Sequence, residues 1–108
     1  MDRTERIAAL NDQLRRDRSR GKVVITRGIQ ALGHQAVLDV LAAVAAFSDF
    51  TPDNDPYAEH DCAVMNVGGH RMIWKIDYYD TDLNFASDDP ANPAVTIRVL
   101  TIMLADEY

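Results

Sequence analysis

With 108 residues, 47% of them hydrophobic and 26% charged, this chain has the make-up of one ordinary globular domain and is too short for two. Its longest apolar run, Val40–Phe47, falls far short of the roughly 20 residues of a membrane span, and its opening residues lack the basic-then-apolar pattern of a secretory leader. The lone Cys62 excludes an internal disulfide, so a cytoplasmic protein with no membrane contact is expected.

Charge is split along the chain. Residues 1–27 hold eight Lys and Arg against four acids, a net +4, whereas residues 28–108 hold three against thirteen, a net −10. An acidic body of that kind repels nucleic-acid phosphates and attracts basic surfaces.

In chain order, residues 3–17 are predicted to form a helix. Asp2 with Glu5 makes a capping-box-like start, and Ile7, Leu10 and Leu14 form a narrow apolar stripe among arginines. So thin a stripe suits a helix lying on an edge or against a second subunit. The β-branched run Val23–Thr26, ended by Gly28, predicts a strand. His34–Phe47 then reads as a helix with Asp39 as its one polar residue after Ala36, hence buried on more than one face. Periodicity stops in FTPDNDPYAEHD. Two strands, Cys62–Val67 and Met72–Tyr79, flank Gly68-Gly69, a dipeptide suited to a tight hairpin turn. A second acidic loop, residues 80–89, leads to Asn92-Pro93, which predicts a helix start, and the helix is expected to run to about Asp106. The expected fold is α+β in the order α-β-α-β-β-α: a three-stranded sheet containing a β-hairpin, two main helices, and an N-terminal helix. It forms a single domain over 1–108, with an arginine-rich helix in 1–20 and an acidic body in 21–108.

Hairpin pairing brings the two acidic loops to one end of the sheet. The carboxylates expected to form a partner-binding surface are Asp53, Asp55, Glu59, Asp61, Asp77, Asp80 and Asp82. The competing reading is a metal site in which these acids join His60. Against it, Tyr57 stands where a calcium loop needs a ligand, no glycine follows, and a His-Asp metal hydrolase needs histidines beyond His34 and His70. Other chemistry is weaker still. Cys62 beside His60 is a small strand residue, Ile73 stands where a Glu-x-Lys nuclease needs an acid, and Trp74, Tyr78 and Tyr79 have acidic neighbours unfit for stacking on nucleic acid. The basic cluster Arg15, Arg16, Arg18, Arg20 and Lys22 reads first as a solvated helix face or as a partner for acids of its own or another subunit.

The blocks RIAALNDQLRR, VVITRGIQALG, FTPDNDPYAEHD, WKIDYYD and VLTIMLADEY, which span Arg6 to Tyr108, resemble a small alphaproteobacterial family defined as a domain of unknown function. Members typically follow the His-Asp pair with an aromatic residue and a glycine, where this chain has Cys62-Ala63. The resemblance brings no activity and no catalytic residue. It implies genes often met on plasmids and integrated elements. Residues and resemblance together lead to a non-enzymatic, cofactor-free acidic protein that binds no nucleic acid directly. Its partner is expected to be a protein with a basic, nucleic-acid-binding surface, and an anti-CRISPR or anti-restriction inhibitor acting by DNA mimicry is the concrete form. A metal-dependent hydrolase or metal-binding domain using the acidic loops and His60 is the alternative. A homodimer through the Leu10/Leu14 stripe is the third.

Overall fold

A computed structural model describes every residue from Met1 to Tyr108. Helix α1 covers Arg3–Asp17, and the Asp2 carboxylate caps it by accepting from the Glu5 N–H at 2.8 Å. Strand β1 (Lys22–Ile25) leads through a single turn, α2 (Arg27–Gln30), into α3 (His34–Ala46). Strands β2 (Cys62–Val67) and β3 (His70–Tyr79) form the expected hairpin, with Gly68 and Gly69 at φ 57° and 82°, where side chains are disfavoured. The last element, β4 (Ile97–Leu104), is a strand, followed by a 3-10 turn, Ala105–Glu107.

The α+β class holds, but the sheet has four strands and the final helix does not exist. Strand order is β1-β4-β3-β2, with β4 parallel to β1 and antiparallel to β3. Asn92 and Pro93 cap no helix. The Asn92 side chain accepts from the Ala94 N–H at 2.9 Å and its carbonyl from Val95 at 3.2 Å, a closed turn. Beyond it, Thr96, Ile97, Val99, Thr101 and Ile102 are β-branched, which favours a pleated strand. The burial pattern of β4 settles the period, with Arg98, Leu100 and Ile102 buried at alternate positions.

The helices supply one layer. Leu14 of α1, Ile29 of α2, and Val40 and Val44 of α3 pack with Ala63, Met72, Trp74, Ile76, Leu100 and Ile102 of the sheet. The expected second buried face of α3 is absent, since Leu38 is 45% exposed and only Val40 and Val44 are buried. The α1 stripe faces the body of the chain, with Leu10 half-buried at its margin. Ile7 and Leu14 are buried in the chain's own core. No helix is long and apolar enough to cross a membrane.

Candidate functional site

Strand register fixes where the charged loops meet. Cys62 pairs with Lys75, Tyr79 with Ile97, and Lys22 with Val99. The segments 47–61, 80–96 and 18–21 therefore share one end of the sheet. Across that end, charge runs from the basic 18–22 segment beside β1 to the acidic 47–61 loop beside β2.

The acidic carboxylates divide into two groups. Asp55 is 7% exposed; its Oδ1 accepts from the His60 N–H at 3.2 Å, and its Oδ2 lies 3.8 Å from His60 Nε2. Glu59 accepts from the Tyr78 hydroxyl at 2.9 Å. Glu59 holds the loop to β3, and Asp55 braces the loop internally. The Tyr78 phenol is pushed well above its ordinary range, by burial first and by the neighbouring Glu59 and Asp61 charges. Asp77 is paired with Lys75 at 2.7 Å. Asp80 accepts from the Asp82 and Asn84 amides at 3.2 and 3.0 Å, closing its own turn. Asp53 and Asp82 are exposed. The Asp61 carboxyl is raised from its ordinary value by partial burial, reinforced by the charges of Glu59, Asp55 and Asp77 and opposed by its own amide. Glu59, Asp55 and Asp77 thus stand close enough to Asp61 for their charges to act on it.

Helix α1 supplies the residues that local reading missed. Asn11 donates to the Glu59 carbonyl at 2.9 Å and to the Tyr78 hydroxyl at 2.8 Å, and accepts from Arg98 Nε at 2.8 Å. The Arg98 guanidinium also donates to the Pro90 carbonyl, tying down the second acidic loop. Asp12 stands 3.0 Å from His60 Nδ1, while the His60 ring stacks on Phe50 with centroids 3.9 Å apart. Arg15, 1% exposed, donates to the Val44 and Phe47 carbonyls at 2.7 and 3.0 Å and to Asp12 at 2.6 Å. Two members of the expected basic cluster thus diverge: Arg15 is a core residue, and Arg20 stays exposed. The signal for this network was present, because Asn11 and Arg15 continue the Ile7/Leu14 face of α1 at helical spacing.

His60 has one ring nitrogen against Asp12 and the other facing Asp55. No three of the His, Cys, Asp and Glu side chains are grouped so as to hold a metal ion. A shallow pocket of about 330 Å³ opens between Phe50, Pro52, Pro56 and His60. What the end does present is exposed acid interspersed with large apolar side chains: Tyr57 at 76%, Leu83 at 43% and Phe85 at 74% exposure.

A two-layer α+β protein with a charged loop end is the class this geometry defines. The chain belongs to the family described as protein of unknown function DUF3768, whose model matches residues 25–107 and so leaves out all of α1. No activity is attached to that family. No curated protein and no solved structure matches the chain.

Proposed function

We propose that this chain is a non-catalytic binding protein whose acidic end occupies a basic, nucleic-acid-binding surface of another protein. The observation that carries the reading is the strand register, which gathers both acidic loops at one end. Asp53, Asp61, Asp77, Asp80 and Asp82 form the contact set. Asp55 and Glu59, engaged by His60 and Tyr78, hold the contact loop in shape. The exposed Leu83 and Phe85 sit in the turn that Asp80 closes, and they give the contact apolar anchors alongside its charges. Carboxylates near phosphate spacing compete with nucleic acid for the same Lys and Arg groups, so the association weakens as salt rises. An inhibitor of a CRISPR or restriction protein is the concrete form of this proposal.

The test is capture from host lysate at low and high ionic strength by the wild-type chain and by an Asp53→Lys/Asp82→Lys variant. The proposal expects a nucleic-acid-binding protein retained by the wild type at low salt, displaced by added DNA, and not retained by the variant. Equal retention by the variant, or no salt-sensitive capture, overturns it.

A further inference from the structure

The pocket at the acidic end has a carboxylate in its wall. Asp55 lines it beside Phe50, Pro52, Pro56 and His60. The Asp55 side chain is 4% exposed, and its two oxygens are used differently. Oδ1 accepts the His60 N–H that braces the loop, whereas Oδ2 accepts no hydrogen bond from the chain and keeps contact with solvent. The basic nitrogen nearest to Oδ2, His60 Nε2, stands 3.8 Å away, outside hydrogen-bond range, and Nδ1 of the same ring is turned to Asp12. Arg15 and Arg16 are likewise engaged by Asp12, at 2.6 and 4.0 Å. Asp55 thus lines the pocket without a cation of its own, and its charge helps to raise the neighbouring Asp61 carboxyl. A nearly buried carboxylate in that state is a standing attraction for a cationic group.

From this we infer that the pocket seats one arginine side chain of the partner protein, its stem gripped by Phe50, Pro52 and Pro56 and its guanidinium on Asp55. The identity of that partner rests on the proposed docking function; the seat adds the group that the partner presents. Apolar walls around a single carboxylate match a side chain with an apolar stem and a charged end. Asp55 Oδ2 and the remaining lone pair of Oδ1 suit a planar fork that donates twice, which an ammonium cannot do. A volume of about 330 Å³ lies at the small end of ligand pockets, roughly 300–1,000 Å³, and holds a side chain rather than an extended ligand. The walls are also preformed. Thr51 and Asn54 bond each other reciprocally at 2.8 and 3.3 Å, and the Asn54 side chain donates to the Asp49 carbonyl at 2.8 Å. The Asp55 and Ala58 amides close successive turns at 2.8 and 3.0 Å. Little ordering is then left to offset the contact. Asp55 serves the loop's shape and recognition at once, through different oxygens.

The experiment is a heteronuclear NMR titration of the full chain with N-acetyl-arginine amide and, in parallel, with the lysine amide and the neutral citrulline amide. An arginine seat gives amide shifts centred on residues 50–60 and a Kd on the order of millimolar for the arginine amide. The lysine amide should bind at least about threefold more weakly, and the citrulline amide at least about tenfold more weakly. Asp55→Asn keeps an oxygen for the His60 amide and should weaken arginine binding at least about tenfold. Asp49→Asn removes an exposed acid of the same loop outside the pocket and should change it less than about twofold. Equal affinity for the arginine and citrulline amides overturns the inference, and that comparison needs only the wild-type chain. Shifts centred elsewhere, or equal losses in Asp55→Asn and Asp49→Asn, overturn it as well. The titration uses no partner, so the two failures are separable. Capture from lysate without arginine binding strikes the seat alone, and arginine binding without capture strikes the docking function alone.

Discussion

Replacing Arg15 by leucine removes the buried cation that joins α1 to the end of α3. Besides its ion pair with Asp12, the wild-type guanidinium gives charge-assisted hydrogen bonds to the Val44 and Phe47 carbonyls, and so satisfies acceptors that the C-terminus of α3 leaves open. Bonds of that kind contribute about 1.5–3 kcal/mol each. The guanidinium also lies 4.9 Å from the centroid of Trp74 and 5.3 Å from that of Phe50, worth about 1–2 kcal/mol in a desolvated setting. Two effects oppose the loss. Arg15 Nε is buried without a partner, and leucine removes that cost of about 1–3 kcal/mol. Leucine also retains part of the apolar contact, about 1.5–3 kcal/mol. The net expectation is a destabilisation of about 2–4 kcal/mol, or a melting temperature lower by roughly 10–20 °C. Trp74, the only tryptophan and itself in contact with Arg15, makes urea unfolding readable by fluorescence. Arg15→Lys should recover little, because a point charge cannot bridge both carbonyls. A loss under about 1 kcal/mol for Arg15→Leu would refute the assignment of Arg15 as the clasp between α1 and α3.

Two further perturbations test other parts of the account. The folded state holds the Asp61 proton more tightly than the unfolded chain, whose carboxyl titrates near 3.8, so its stabilising contribution is complete below that pH and lost as pH rises through the raised folded value. Asp61→Asn should therefore melt at a higher temperature than the wild type at pH 7, with the gain vanishing in acid. A pH-independent difference contradicts the crowding of carboxylates. At Gly21, an added Cβ would stand 2.8 Å from the Arg98 carbonyl and 3.0 Å from the Leu14 methyls. Gly21→Ala should cost about 1–3 kcal/mol in urea unfolding, and an unchanged midpoint would show that the close approach of β1 to β4 can relax.

Local signals carried most of the architecture. The Asp2 cap, the Gly68-Gly69 turn and the alternation through Met72, Trp74 and Ile76 each act within a few residues, and each element they announce is present. Strand β4 failed for a non-local reason. Its apolar run is nearly continuous, so the helical and strand periods cannot be told apart within it, and pairing with β1 some 75 residues away decides the outcome. Asn92-Pro93 then reinforced the wrong period, since the same dipeptide closes a turn as readily as it opens a helix. At the acidic end, the meeting of two loops followed from hairpin geometry alone. The withdrawal of Asp55 and Glu59 into the body depends on Asn11, Asp12 and Tyr78, whose distance in sequence hides the contact.

Hydrogen–deuterium exchange of the chain, with and without its captured partner, tests most directly whether the acidic end makes the contact. The account predicts slowed exchange in the amides of 51–58 and 80–86, with the outer side of α3 unchanged on partner binding. Protection confined to α3 or to the sheet, with both acidic loops exchanging as in the free chain, would contradict it.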